Sequence, residues 1–104
     1  MKYKLDYLQI ANNDIRSCAL YIAEVRQAPT AAANLVREVR KKANNLRDTP
    51  YIYPEYHGEP RNEITYRVMP VKNYLVFYTV NEDSKTIEVH RFLYAGMDIA
   101  TLLE

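Results

Sequence analysis

The hydrophobic period of this chain changes near its middle, and that change limits the fold more than any other feature. In the first half, apolar side chains mostly recur at helical spacing, whereas in the second half they alternate with the period of two that strands show. A short early segment, residues 3 to 9, also alternates and places Tyr3, Leu5 and Tyr7 on one face. The chain therefore combines an early strand, a helical region and a later group of strands.

Two amphipathic helices are predicted in the first half. The first runs from about residue 13 to 26, with Asn12 and Asn13 as N-cap candidates. A turn containing proline separates it from a second helix, which Thr30 can cap and which should end before Pro50. Two such helices joined by a short turn form an αα-hairpin. The apolar stripe of the second helix comprises Ala32, Leu35, Val39, Ala43 and Leu46.

Three strands are predicted in the second half, at about residues 62 to 69, 73 to 80 and 86 to 94. The middle one is apolar on both faces, which indicates a central position in the sheet. The segment from 48 to 61 is rich in proline and tyrosine and is expected to be a loop long enough to carry function. The tail from 97 to 103 is expected to form a short helix.

These elements predict a single α+β domain over residues 1–104, with the order β-α-α-β-β-β and a short C-terminal helix. The helical hairpin should pack on one face of an antiparallel sheet. The other face is left for solvent, the tail or a partner.

Composition excludes several classes of function. The formal net charge of +1 excludes a broad basic field for non-specific nucleic-acid binding, and two glycines leave no Gly-rich phosphate loop. The two histidines and the single cysteine are too far apart to form a metal-site motif, so we expect no metal and no cofactor, and Cys18 should be a small core residue. No apolar run suits a signal peptide or a membrane span, so we expect a cytoplasmic protein without a membrane partner.

The ordered set of motifs along the chain resembles the RelE/ParE superfamily of toxins from bacterial type II toxin–antitoxin systems. The matching segments are Asn12-Asn13-Asp14-Ile15, Tyr66-Arg67-Val68, Asn73 to Tyr78, Val89 to Ala95, and Asp98. The resemblance implies a small toxin neutralised by a cognate antitoxin. It leaves two modes of action open, because the RelE-like and YoeB-like branch cuts messenger RNA on the ribosome, whereas the ParE-like branch poisons DNA gyrase and has no nuclease site.

Three residues are candidates for RNA cleavage if the chain is a nuclease. Metal-free cleavage needs a base, an acid and a group that stabilises charge on the phosphorane. Arg67 matches a motif arginine of the family and could clamp a phosphate, or it could pair with a carboxylate such as Glu88 or Glu63. His90 and Tyr94 could do acid–base work, or they could belong to an ordinary aromatic stripe.

Alternation along the last strand decides where these side chains should point. We expect Ile87, Val89 and Leu93 to face the helices. The opposite set, on the open face of the sheet, would then be His90, Phe92 and Tyr94.

Two observations favour the ParE-like mode over the nuclease. The residues after Tyr94 are Ala95-Gly96-Met97-Asp98, so the basic residues that relatives often carry there are missing, and Arg91 has the wrong parity to replace them easily. The near-zero net charge also differs from the strongly basic ribosome-binding nucleases of the family. We therefore expect gyrase inhibition, with ribosome-dependent mRNA cleavage as the alternative and a non-toxic antitoxin-binding relative as a second alternative.

Two further polar groups have open interpretations. On the second helix, Arg37, Arg40 and Lys41 belong to a basic run that could bind the target or be a solvated face. The loop between the helices and strands contains Glu55, His57, Glu59 and Arg61, where a glutamate could act as a base. A solvated loop held by its tyrosines is the alternative.

Overall fold

The computed structural model describes residues 2–57 and 64–103 and has a four-stranded mixed sheet with two helices packed on one face. This architecture is the predicted α+β class. The elements are β1 Lys4–Tyr7, α1 Gln9–Leu20, a π-helical turn Tyr21–Val25, α2 Pro29–Asn45, β2 Arg67–Val71, β3 Tyr74–Asn81, β4 Thr86–Tyr94 and α3 Ile99–Leu102. Within the described ranges, no helix is both long and apolar enough to cross a membrane.

The strand order in the sheet is β1-β4-β3-β2. The strands β2, β3 and β4 are antiparallel, as expected, but β1 pairs with β4 in parallel. Parallel neighbours need a long connection between them, and here the helical hairpin and two strands supply it. The alternation of apolar residues within a strand does not indicate the direction of the neighbouring strand. The parallel pairing of β1 with β4 could therefore not be predicted from this pattern.

The predicted N-caps of both helices are wrong. Helix α1 begins at Gln9, so Asn12 and Asn13 lie inside it, and its N-cap Leu8 has no side-chain oxygen. The Leu8 N–H instead donates to the Val89 carbonyl at 3.0 Å, so the helix starts directly from the end of the β1–β4 ladder. Helix α2 begins with Pro29 rather than after a Thr30 cap. Proline suits a first helical position because its φ is preset and its missing N–H would have no intrahelical partner.

The main core lies between the helical hairpin and the sheet face that we call the helix face. The predicted apolar stripe of α2 is confirmed, since all five of its residues are buried. The sheet contributes Met69, Val71, Val76, Tyr78, Ile87, Val89 and Phe92 to this cluster.

The opposite sheet face, called the open face, carries a smaller apolar cluster. Tyr66, Phe77, Leu93 and Leu103 are its buried members, so the C-terminal segment covers part of this face. The expected short helix in the tail is present as α3, and Asp98 is its N-cap, whose side chain accepts a 2.8 Å hydrogen bond from the Thr101 hydroxyl.

A β-bulge in β4 changes which side chains face the helices. Val89 pairs with Tyr78 and Arg91 pairs with Phe77, so His90 is an extra residue without a partner in β3. Alternation therefore reverses after His90. Leu93 joins the open-face cluster, and Phe92 joins the main core, so both predicted orientations are wrong. The predicted orientation of Tyr94 is wrong for the same reason, since it pairs with Tyr74, which packs against the main core.

Candidate functional site

The Arg67 guanidinium is enclosed by the segment that precedes β2. It donates a 2.7 Å hydrogen bond to the Tyr53 carbonyl, lies 3.5 Å from a Glu55 carboxylate oxygen and stacks 4.8 Å from the centre of the Tyr51 ring. Its side chain is only 20% exposed. The ion-pair alternative is therefore realised, with Glu55 in place of Glu88. A role for Arg67 as a phosphate clamp stays a prediction, and it would require these contacts to open.

His90 lies on the open face, as predicted. Its Nε2 is 3.0 Å from the Thr79 hydroxyl, and its ring packs edge-on against Tyr66 at 5.3 Å between centroids. Burial lowers the pKa of His90 below its usual 6.5, although the neighbouring Glu88 carboxylate, 3.9 Å away, acts in the opposite direction. The imidazole is therefore neutral at pH 7. The depression beside it is also lined by Glu82 and Asp83.

Tyr94 stands at the far end of β4 and is half exposed. Its ring packs edge-on against Tyr74 at 5.8 Å, and Tyr74 stacks on Phe92 at 4.9 Å. A Cβ atom on Gly96 would lie 2.6 Å from the Tyr94 ring, so glycine at this position lets the ring fold back over the turn.

The three candidate nuclease residues do not converge on one cleft. Arg67 pairs with Tyr78 and Tyr94 pairs with Tyr74, so they lie four residues apart along β3, roughly 13 Å at strand spacing. His90 points from the other face of the sheet. Their catalytic roles stay predictions, and the geometry supplies no shared position for a reacting phosphate.

A surface network holds the segment before β2 against the β3–β4 hairpin. The Glu82 carboxylate accepts hydrogen bonds from the Tyr3 hydroxyl at 2.7 Å, the Lys85 ammonium at 2.6 Å and the Tyr51 hydroxyl. The hydrogen bonds from Lys85, Tyr51 and Tyr3 lower the pKa of Glu82 to about 2. This network agrees with the loop interpretation in which tyrosines hold the segment. Of the polar residues considered there, Glu59, Arg61 and the potential Arg67 partner Glu63 lie outside the described residues.

The basic run on α2 is exposed, but two of its side chains contact neighbouring residues. Arg37 hydrogen-bonds Asn34 on its own helix, whereas Arg40 stacks on the Tyr7 ring at 4.3 Å and donates to Asn12 at 3.3 Å. Lys41 is exposed to solvent. Target binding by Arg37, Arg40 and Lys41 stays a prediction, with Arg37 and Lys41 the more accessible members.

Sequence reasoning missed a paired charge between Arg91 and Asp14. Arg91 Nε and Nη2 donate to the two Asp14 oxygens at 2.7 and 3.0 Å, and Nη1 donates to the Leu102 carbonyl at 2.7 Å. Asp14 also accepts the Phe92 N–H at 3.0 Å, at a point along β4 beyond the end of β1. Arg91 thus joins α1, β4 and α3. An arginine within an apolar strand was the available signal, but a partner 77 residues away leaves no local pattern.

An open groove of about 650 Å³ runs between the first helix with its π turn and the β4–α3 connection. We call it the side groove. Tyr21, Tyr94 and Met97 line it and are about half exposed, and Arg26 also lines it. Cys18 lies in the same wall, and burial raises the pKa of its thiol, so the expected core position is only partly reached.

No three His, Cys, Asp or Glu side chains within residues 2–57 and 64–103 are placed to hold a metal ion. Several arginines, tyrosines and carboxylates in these ranges are instead joined in pairs and networks, as at Arg67, Glu82 and Arg91.

The fold is shared with solved toxin structures. The chain is similar to a structure described as the chromosomal ParDE system from P. aeruginosa, with a TM-score of 0.68, 14% identity, and 89% of this chain and 96% of that chain covered. It is also similar to the intact E. coli RelBE toxin–antitoxin complex, with a TM-score of 0.58, 15% identity, and 91% and 99% covered. The archaeal RelE–RelB complex from Pyrococcus horikoshii OT3 gives a TM-score of 0.55, 16% identity, and 92% and 98% covered.

A family model extends the likeness from fold to sequence. No curated protein matches the chain. The model of the ParE toxin of the type II toxin–antitoxin system parDE, however, matches residues 5–99, which include β2, β3, β4, both long helices and all of β1 except Lys4. The chain therefore belongs to the ParE family of type II toxin–antitoxin toxins.

Proposed function

We propose that this toxin stops growth by binding and inhibiting DNA gyrase, and that it does not cut RNA. The observation that carries the proposal is the separation of Arg67, His90 and Tyr94, which occupy two faces and two ends of the sheet. General acid–base catalysis and charge stabilisation must act on the same phosphate, so groups this far apart do not support cleavage.

Charge near His90 also favours a non-nucleolytic mode. The neutral imidazole lies beside Glu88, and Glu82 and Asp83 line the same depression. Carboxylates repel the phosphate backbone, and a nucleic-acid site needs several cations to replace its counterions. The open face near His90 therefore suits RNA poorly.

The outer face of α2 is the surface that we assign to the target. Arg37 and Lys41 are exposed, one turn apart, on a 17-residue helix whose opposite side is fixed in the main core. A rigid helix with projecting cations can contact an acidic protein surface without reorganising. Arg40 would contribute only by leaving the Tyr7 ring.

A cognate antitoxin is the proposed regulator, and the cytoplasm the proposed place of action. The similar structures from P. aeruginosa and E. coli are described as a ParDE system and a RelBE toxin–antitoxin complex. The family membership supports an antitoxin for this chain too.

Two assays on the purified toxin test the proposal. A gyrase supercoiling assay should show dose-dependent inhibition, and the double variant Arg37→Glu with Lys41→Glu should weaken it by at least tenfold, about 1.4 kcal/mol. Arg16→Glu is the matched control, because it reverses an exposed charge on α1 and should inhibit like the parent toxin.

A translation extract with ribosomes and a defined message supplies the competing outcome. Codon-linked cuts that disappear in Arg67→Ala and Tyr94→Phe, with antitoxin binding retained, would establish the nuclease and overturn the gyrase proposal. If expression does not slow growth and neither assay responds, the chain is an antitoxin-binding relative and the proposal is wrong.

A further inference from the structure

The side groove has apolar side chains on both of its walls. Tyr21 is 54% exposed on the π-turn wall, while Tyr94 and Met97 are 49% and 51% exposed on the wall after β4. Leu20, the last residue of α1, and Val25, in the π turn, are also exposed. Single exposed apolar residues are ordinary on protein surfaces, but a cluster of large ones around a concave surface marks an interaction site.

The backbone that shapes the π-turn wall is strained. The Arg26 N–H donates to the Tyr21 carbonyl at 3.2 Å, closing a five-residue π-helical turn, and the next residue, Gln27, has a φ of 52°. Side chains other than glycine rarely adopt the left-handed region, and π turns are frequent at functional sites. The strained turn ends α1 and keeps Tyr21 and Arg26 in the lining of the groove.

Charge in the groove is unbalanced. The Asp14 carboxylate is used by Arg91 and by the Phe92 N–H, so it is not available to a ligand. The Arg26 side chain is exposed, and within the described residues its guanidinium makes no hydrogen bond or ion pair. Among the residues that the structure describes, the groove thus combines apolar walls with one unpaired cation, Arg26.

We infer that the side groove is the docking site for a segment of the cognate antitoxin that carries bulky apolar side chains beside a carboxylate. The identity of this partner rests on the proposed function, whereas its chemistry comes from the groove. The carboxylate pairs with Arg26, and the apolar side chains lie between Tyr21 on one wall and Tyr94 with Met97 on the other. Aromatic side chains at such positions supply most of the binding energy in protein interfaces.

Other occupants fit the groove less well. A nucleic acid strand would need several cations, whereas the described lining contains two, and Arg91 is already paired with Asp14. A second copy of this chain could present the acidic hairpin that carries Glu82. That carboxylate already accepts hydrogen bonds from Tyr3, Tyr51 and Lys85, so it is not available to pair with Arg26.

Calorimetric titration with the antitoxin encoded beside the toxin gene, and with overlapping synthetic peptides of it, tests the inference. Tyr21→Ser and Arg26→Glu should each weaken binding by at least about tenfold. Arg16→Glu, an exposed charge reversal on the same helix but outside the groove, should leave the affinity unchanged. Replacing the peptide's acidic residue with lysine should restore binding to Arg26→Glu and to no other variant.

Three results would overturn the inference. One is unchanged affinity in both groove variants, and another is an equal loss in Arg16→Glu. The third is a toxin that dimerises, or binds an RNA oligonucleotide, through Tyr21 and Arg26.

Both groove residues are exposed, so circular dichroism should show folded variants, and gyrase inhibition by the free variants should match the parent toxin. If the groove variants lose antitoxin binding as expected but the parent toxin does not inhibit gyrase, only the proposed function is refuted.

Discussion

At the scale of single residues, Arg91 does more to connect the molecule than its place in the sequence indicates. Its guanidinium uses three nitrogens on Asp14 and the Leu102 carbonyl, and the two paired side chains are only 16% and 15% exposed. Two parallel hydrogen bonds between an arginine and a carboxylate are among the stronger polar contacts in proteins. Removing one partner leaves the other charge poorly solvated.

We expect Arg91→Ala to lower the free energy of unfolding by about 3 kcal/mol, the lower end of the range for broken buried ion pairs. Urea denaturation followed by circular dichroism measures the change. Lys85→Ala is the comparison, because the Lys85 and Glu82 side chains are 58% and 46% exposed and solvent screens their pair. Equal losses in the two variants would show that the Arg91 contacts contribute no more than a surface pair.

Candidate site residues could be identified from the sequence, but the residues that they contact could not. Arg67 was a candidate because it matches a motif arginine of the family, and an ion pair was one of its two interpretations. The partner is Glu55, which the chain brings in through an isolated bridge beside β2. Such a contact depends on how a loop folds back, for which periodicity carries no signal.

At the scale of elements, one bulge separates correct from incorrect predictions. Before His90, alternation along β4 gives the right faces, because Ile87 and Val89 are buried against the helices. After it, the faces of Phe92, Leu93 and Tyr94 are reversed. A bulge adds one residue without altering composition, so the type and order of elements were predictable while the second half of β4 was not. The candidate nuclease site depended on that half.

The segment before β2 should loosen when Glu82 is replaced. Glu82→Ala removes the acceptor for Tyr3 and Tyr51, so we expect faster amide hydrogen exchange around Ile52, whose N–H bonds the Thr49 carbonyl. Asp83→Ala, at the neighbouring exposed carboxylate, should leave that exchange unchanged. Similar acceleration in both variants would contradict a specific role for the Glu82 network.

The same network predicts a pH dependence of stability. Hydrogen bonds lower the pKa of Glu82 to about 2 from the usual 4.5. The unfolded chain therefore binds more protons than the folded chain between these values, and the stabilisation is present above pH 4.5 and is lost as the pH falls toward 2. The free energy of unfolding, measured across this pH window, should fall less steeply with acidification in Glu82→Ala than in the parent. An identical slope would contradict the network.

At the scale of the whole molecule, the two faces of the sheet are covered unequally. The helix face lies under two helices of 12 and 17 residues, whereas the open face is covered in part by α3, which has four. Short helices contribute little stability of their own and depend on the residues that they bury. Global stability should therefore come from the helix face, while α3 forms a separate and weaker unit.

Leucine truncations on the two faces test this division. Leu46 is 1% exposed in the main core, and Leu46→Ala should lower the free energy of global unfolding by about 3 kcal/mol. Leu103, 6% exposed in the smaller cluster, should cost less, because α3 can detach while the sheet stays folded. Hydrogen exchange should separate the two cases: Leu103→Ala should accelerate the amides of Leu102 and Leu103, which bond to Asp98 and Ile99, and leave β3 protected. In Leu46→Ala, exchange should rise throughout the sheet. A uniform rise in Leu103→Ala would mean that both faces unfold as one cooperative unit.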